Sequence, residues 1–139
     1  MNIFALFTAI ISATVGTSLE SVIGGRLFLD EAPQDSEFPY IVFQLVTSTP
    51  DKSFTENCID TTIQFSIYSS LPSAAEVSDI LGKLIAIFDD KILVVSGYTM
   101  EKMCFQNLVT LTEDVLLTDG SIVKTKHWAV DFSIRLSLN

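Results

Sequence analysis

GGRLFLDEAPQDSEFPYIVFQL, residues 24–45, sets a glycine pair, a short apolar run, an acidic loop and a longer apolar run in succession. Gly24 and Gly25 punctuate the end of a helical pattern, which is the ordinary place for glycine at a helix C-terminus. A phosphate cradle needs its glycines after a strand and before a helix, so the order here speaks for backbone geometry instead. Arg26-Leu27-Phe28-Leu29 reads as a short strand, and residues 30–37, polar and acidic with Pro33 among them, as a surface loop. Pro39 cannot donate to a sheet ladder and belongs at the first residue or two of the next strand, with residues 40–45 carrying the pairing. The stretch is thus the hinge between a helical segment and a sheet.

Upstream of the hinge, Ile3, Leu6, Phe7, Ile10 and Ile11 follow the spacing of a helix with one buried stripe, ending near Ser12 or Ala13. No Lys or Arg precedes this run, and Thr8, Ser12 and Thr14 interrupt it. A retained helix therefore fits better than a cleaved signal, and the run is too short to span a bilayer. A second, short helix capped by Thr17 or Ser18 carries Leu19, Val22 and Ile23 into the glycine pair.

Downstream, residues 40–47 alternate Ile41, Phe43 and Leu45 against Tyr40, Val42, Gln44 and Val46, the pattern of a strand. Residues 48–57 hold Pro50, Asp51, Lys52, Glu56 and Asn57 and read as a long hairpin loop. Phe54 within it either folds back on the domain or marks a contact surface. Residues 58–68 alternate cleanly, with Ile59, Thr61, Ile63, Phe65 and Ile67 on one face. Leu71-Pro72 stops that strand, and Ser73 with Glu76 has the form of a capping box opening a helix. Its stripe is Val77, Ile80, Leu81, Leu84, Ile85 and Phe88, ended by Asp89-Asp90. Residues 92–95 form a short edge piece. A long strand over 98–112 is expected to bulge near residues 104–107. Asp119-Gly120 is a turn signal that makes the flanking strands antiparallel, and residues 127–138 alternate again.

The 139 residues fit a single domain, 1–139, that buries roughly two thirds of its unfolded surface. With 48% hydrophobic and 18% charged residues the chain is not disordered. Its net charge of -9 argues against nucleic acid gripped through a basic face, though not against a conduit that DNA slides through without sticking. The pattern gives an α+β fold in two layers: a largely antiparallel, mixed sheet, two amphipathic helices on one face, and long β-hairpins. The opposite face is left polar, and the long strands leave edges needing protection, which subunits joined edge to edge or through the hairpins would supply.

No active site emerges from spacing. His127 is the only histidine, and Asp131, four residues along the same strand, stands about 13 Å away, beyond hydrogen-bond reach. A cross-strand carboxylate such as Asp60 is an alternative partner, beside the reading of a surface histidine. Asp89-Asp90 sits at a helix C-terminus and is read as a solvated cap, not a metal site. Cys58 and Cys104 fall inside strands without metal-ligand spacing and read as reduced thiols. No cofactor and no membrane association are expected.

Gly24-Gly25-Arg26-Leu27-Phe28, then Ala32-Pro33-Gln34, then Phe38-Pro39-Tyr40-Ile41-Val42-Phe43 resembles the tail-completion, or tail-terminator, proteins of long-tailed bacteriophages and related prophages. The likeness continues through the alternating strand over 59–68, the helix beginning at Ser73 with Ala75, and the closing strand around Phe132. The resemblance implies a virion protein made in the host bacterial cytoplasm. It implies a subunit that forms a ring, usually of six copies, at the head-proximal end of the tail tube. Such a ring stops tube polymerisation and joins the tail to a head connector or neck protein, with genomic DNA passing through the lumen without specific binding. No catalytic residue belongs to this role. Residues 48–57 lack the acidic or glycine-rich pattern that would fix a contact. Contacts to neighbouring subunits or the tube are expected on Asp51, Lys52, Phe54 and Glu56 and on Glu113, Asp114, Asp119 and Lys124, with 51–57 and 113–124 protruding as loops. Two alternatives remain: a tail tube or neck adaptor subunit, and a small ligand-binding or hydrolytic domain using His127.

Overall fold

The computed structural model describes residues 2–52 and 57–139, so that Phe54 and Glu56 lie outside the described residues. Its elements run α1 (Phe4–Thr14), α2 (Ser18–Ile23), β1 (Leu27–Leu29), β2 (Tyr40–Lys52), β3 (Asn57–Ser69), α3 (Ala75–Phe88), β4 (Val94–Val95), β5 (Tyr98–Leu116) and β6 (Ile122–Leu138). The sheet has six strands in the order β1-β2-β3-β6-β5-β4. All neighbours are antiparallel except β1 and β2, which pair in parallel over Leu27–Leu29 and Ile41–Phe43. The architecture is the expected α+β one, with the short α2 as a third helix.

The hinge owes its geometry to one arginine. Gly24 takes φ +61, a left-handed conformation that glycine adopts without a Cβ penalty, and the Gly25 N–H donates to Glu20 O at 3.0 Å to close α2. A Cβ on Gly24 would stand 2.7 Å from Arg26 Nη1. That space lets the guanidinium turn across the loop, where Nε donates to Pro39 O at 3.1 Å and Nη2 to Phe38 O at 3.4 Å. The Ile41 N–H donates in turn to Arg26 O. The glycine-arginine pair and the Phe38-Pro39-Tyr40 strand are therefore two halves of one clasp, which explains their spacing in sequence.

One sheet face and the helices enclose the core. Ile41, Phe43, Ile63, Phe65, Ile67, Phe132, Ile134 and Leu136 from the strands meet Leu6, Ile10, Leu19, Ile23, Val77, Ile80, Leu84 and Phe88 from the helices, all fully buried. Phe65 stands at the centre, stacked on Phe43 at 5.8 Å and Phe88 at 5.1 Å, with Phe132 edge-on at 5.5 Å.

Three local expectations are corrected. The Ser73–Glu76 capping box does not form: α3 has Ala74 at its N-cap, and Glu76 Oε1 instead accepts from the fully buried hydroxyl of Ser69 at 2.7 Å. A buried hydroxyl without water must find a partner, and this demand outweighs an exposed helix cap. The box arrangement occurs at α2, where Thr17 Oγ1 accepts from the Glu20 N–H and Glu20 Oε1 from the Gly16 N–H. Secondly, residues 48–52 are strand, because β2 pairs with β3 as far as Lys52–Asn57. Pro50 is tolerated because β1 covers β2 only over Ile41–Phe43, so its missing N–H faces an open edge. Thirdly, β5 continues to Leu116, which makes residues 113–124 a two-stranded arm with a turn at its tip, not a loop. The expected bulge lies between Phe105 and Asn107, and a second falls between Met100 and Lys102.

Asp89 and Asp90 fasten α3 to this sheet. The Phe105 N–H donates to Asp89 Oδ1 at 2.9 Å, and the Asp90 N–H donates to Met103 O at 2.9 Å. Asp89 is the C-cap of α3, as expected, and its partly exposed carboxylate also accepts a backbone hydrogen bond from β5.

Candidate interface on the polar face and hairpin arm

The sheet face away from the helices is built from the alternate residues of each strand, and the register brings them into three groups. Across its middle, Gln64 Nε2 donates to Asp131 Oδ1 at 3.0 Å, and Gln44 Nε2 lies 3.5 Å from Gln64 Oε1. At the end where β2 meets β3, Arg135 gathers three carboxylates. Its Nη1 donates to Asp60 at 2.8 and 3.0 Å, its Nη2 to Asp51 at 2.9 Å and its Nε to Glu101 at 3.0 Å. Donation to Asp51 and then to Asp60 pushes the Arg135 pKa further above its already high value. Cys58 Sγ lies 4.0 Å from Glu101 Oε2 in the same group.

At the opposite end an aromatic column crosses the strands. Tyr40, Tyr68 and His127 stand directly opposite one another in register. Tyr40 stacks on Tyr68 at 4.9 Å, and Tyr68 on His127 at 4.5 Å. Phe38 and Phe28 extend the column beyond Tyr40. His127 Nδ1 is 2.8 Å from Glu113 Oε1, while its Nε2 is buried without a hydrogen-bond partner. The partner of His127 is thus Glu113, neither Asp131 nor Asp60. Register explains the choice: Glu113 faces Thr125 and Leu111 faces His127, so Glu113 sits on the diagonal of the same face.

The arm from Glu113 to Lys124 ends against the acidic loop. The Thr118 N–H donates to Asp35 Oδ1 at 3.0 Å, its hydroxyl donates to the same carboxylate, and Gln34 Nε2 reaches Leu116 O. Between loop and sheet lies a cleft of about 380 Å³ lined by Asp30, Glu31, Asp35, Tyr40, Tyr68 and Glu113. At the turn, Asp119 Oδ1 accepts from the Ser121 hydroxyl and N–H, which holds the Asp119 carboxyl below its usual range. Among the described residues no group of three or more His, Cys, Asp or Glu is placed to hold a metal ion.

The expected contact residues therefore separate into two places. Glu113, Asp114, Asp119 and Lys124 share the arm, with Asp114 opposite Lys124. Asp51 and Lys52 lie at the other end of the sheet, since Asp51 pairs with Cys58, Cys58 with Ser137 and Ser137 with Thr99. Asp51 is occupied by Arg135.

Residues 7–137 match the family described as tail completion protein gp17. The chain belongs to that family. This tail-completion protein is a structural component of a phage tail. It is similar to a chain in the virion of a native gene transfer agent particle, with 13% identity over 96% of each chain and a TM-score of 0.72. It is also similar to the bacteriophage SPP1 gp17 protein, with 24% identity over 98% of this chain and 90% of that one and a TM-score of 0.55. At these identities the two structures show a shared fold. No curated protein matches the chain. No helix of the described residues is long and apolar enough to cross a membrane.

The aromatic column gives the tail-completion protein an alkaline limit. Burial first, then the Tyr68 and Glu113 charges, raise the Tyr40 pKa; burial and then Glu113 raise that of Tyr68. The fold thus favours the neutral phenols. Their contribution is fully present below the unfolded value of about 10 and is lost as pH rises through the higher folded values. Chemical denaturation at stepped pH should show stability falling above pH ~10, with a shallower fall in Tyr68→Phe, which keeps the ring and loses the titrating group. Equal alkaline slopes in the two proteins would remove the column from the account.

Proposed function

We propose that this tail-completion protein forms a closed ring, of six copies, at the head-proximal end of the tail tube, where it stops tube polymerisation and presents the surface that joins the head connector. The observation carrying this reading is the outer edge of β5. β4 covers only Tyr98 and Thr99, and the end of α3 reaches Met103 and Phe105. From Asn107 to Leu116 no strand of the described residues pairs with that edge. The sequence there, NLVTLTEDVL, contains neither Lys nor Pro, and between the register shift at Phe105–Asn107 and the pair Glu113-Asp114 its residues 107–112 carry no charge to guard the edge. The opposite edge, on β2, carries Pro50, Lys52 and a register shift between Leu45 and Thr47. Two unlike edges, one with Pro50 and Lys52 and one uncharged over residues 107–112, suit a head-to-tail contact, the kind that closes into rings.

The arm residues Glu113, Asp114, Asp119 and Lys124 make the subunit or tube contacts in this reading, and Asp51 with Lys52 belongs to the other end. The polar face, with Asp51, Asp60, Glu101, Asp131 and Glu113 among its side chains, turns towards the lumen. Acidic walls repel the phosphate backbone and let DNA pass without adhesion.

Replacing residues 114–123 by a two-residue turn tests the reading. The shortened protein is expected to remain a folded monomer by circular dichroism, while tails made with it lack the ring and fail to join heads. Normal rings and normal tail length from the shortened protein would refute it.

A further inference from the structure

Helix α1 has more apolar surface than its own core uses. No charged residue precedes Glu20, and α1 is apolar nearly all round, a character normally found in helices that are covered on every side. Leu6 and Ile10 are buried, yet Phe4, Ile11 and Val15 are 62%, 42% and 64% exposed along one stripe. Beside that stripe lies a groove of about 730 Å³, walled by Ala5, Ala9 and Ser12 of α1 and by Ile92, Leu93 and Val94. Val94 is 94% exposed.

A matching knob stands at the tip of the β5–β6 arm. Leu116 and Ile122 face one another across the two strands and are 63% and 65% exposed. The segment 115–123 carries a single charge, Asp119. Groove and knob cannot meet within one chain. Val94 pairs with Thr99 at the start of β5, whereas Leu116 ends it, roughly 50 Å away along the strand.

We infer that the arm tip of one copy, through Leu116 and Ile122, seats in the α1–β4 groove of the next copy. The inference rests on the ring reading and names its contact. Charge selects the occupant. Copies carrying a net charge of -9 repel one another; the groove lining has no charged residue and the 115–123 segment has only Asp119, with Asp35 bonded beside it, so these two surfaces approach at lower cost than the acidic remainder. Their positions at opposite ends of the sheet make the contact heterologous, so each copy offers its knob to one neighbour and its groove to the other.

The test is a charge pair read by native mass spectrometry, on the free protein and on rings released from purified tails. Ser12→Lys places a cation in the groove and Leu116→Glu an anion on the knob, both at exposed positions. Each single variant is expected to lower ring assembly at least tenfold, and the double variant, which sets the new cation of one copy against the new anion of the next, to restore it. If the wild type forms rings and both single variants do so equally, this contact is wrong while the ring stands. If both form rings but fail to join tails, the surfaces belong to another tail protein and the inference is overturned. If the wild type is monomeric both free and on tails, the ring reading itself falls. A double variant no better than the singles also overturns the pairing.

Discussion

Phe65→Ala is expected to cost about 3–5 kcal/mol of unfolding free energy, the range for removing a fully buried phenylalanine. Phe65 is inaccessible and touches the rings of Phe43, Phe88 and Phe132, which come from β2, α3 and β6. Its removal therefore opens a cavity where both layers of the fold meet. Rigid strands on one side and a helix on the other leave the neighbours little freedom to close it, which places the cost towards the upper part of the range. For a chain of this length the thermal midpoint should fall by roughly 10–15 °C. Urea unfolding followed by fluorescence and circular dichroism would measure it. A loss below about 1 kcal/mol would show that the centre of the core lies elsewhere. Phe65→Leu, which refills most of the volume, should recover more than half of the loss.

The second large effect is expected at Arg135. Arg135→Met keeps an apolar stem but withdraws the guanidinium from Asp51, Asp60 and Glu101, leaving three carboxylates, on β2, β3 and β5, around one position without a cation. The cluster is solvent-exposed, so each ion pair by itself contributes little; the loss comes from the mutual repulsion of the three carboxylates left behind. The thermal midpoint should fall by several degrees in low salt and recover in part as salt screens the repulsion. Neutralising the partners in the same chain, with Asp60→Asn and Glu101→Gln added to Arg135→Met, should return most of the loss. A variant that melts like the wild type at every ionic strength would show the cluster to be energetically idle.

Much of the fold can be read from local pattern. The alternation in β3 and β6 and the stripe of α3 record which side chains face the core, and that face is the one thing a period of two or 3.6 encodes. The limits have separate causes. Residues 48–52 read as loop because Pro50, Asp51 and Lys52 are turn-forming residues, and only the open side of β2 makes a strand there acceptable. Ser73 and Glu76 have the right spacing for a cap, but spacing carries no information about a buried Ser69 competing for the same carboxylate.

The polar face was less legible for a different reason. Asp51, Asp60, Glu101 and Arg135 lie on four strands, and nothing short of the full register places them together. His127 and Glu113 were closer to recognition. The Asp119-Gly120 turn sets the register of the arm, and that register puts Glu113 on the diagonal of His127. Arg26 was visible within its motif, but its acceptors are the main-chain carbonyls of Phe38 and Pro39, and a carbonyl carries no residue identity.

The position of β6 has a consequence in time. It is the last strand in sequence, yet it lies inside the sheet, between β3 and β5. Cys58 pairs with Ser137, and Ser69 with Lys126, so the two halves of the sheet are joined only through contacts distant in sequence. Contacts this distant in sequence form slowly and leave earlier strands unpaired meanwhile. Until β6 is in place, neither face of the sheet is complete. Pairing of β6 therefore completes the core face, through Phe132, Ile134 and Leu136, and the polar face, through His127, Asp131 and Arg135, in the same step.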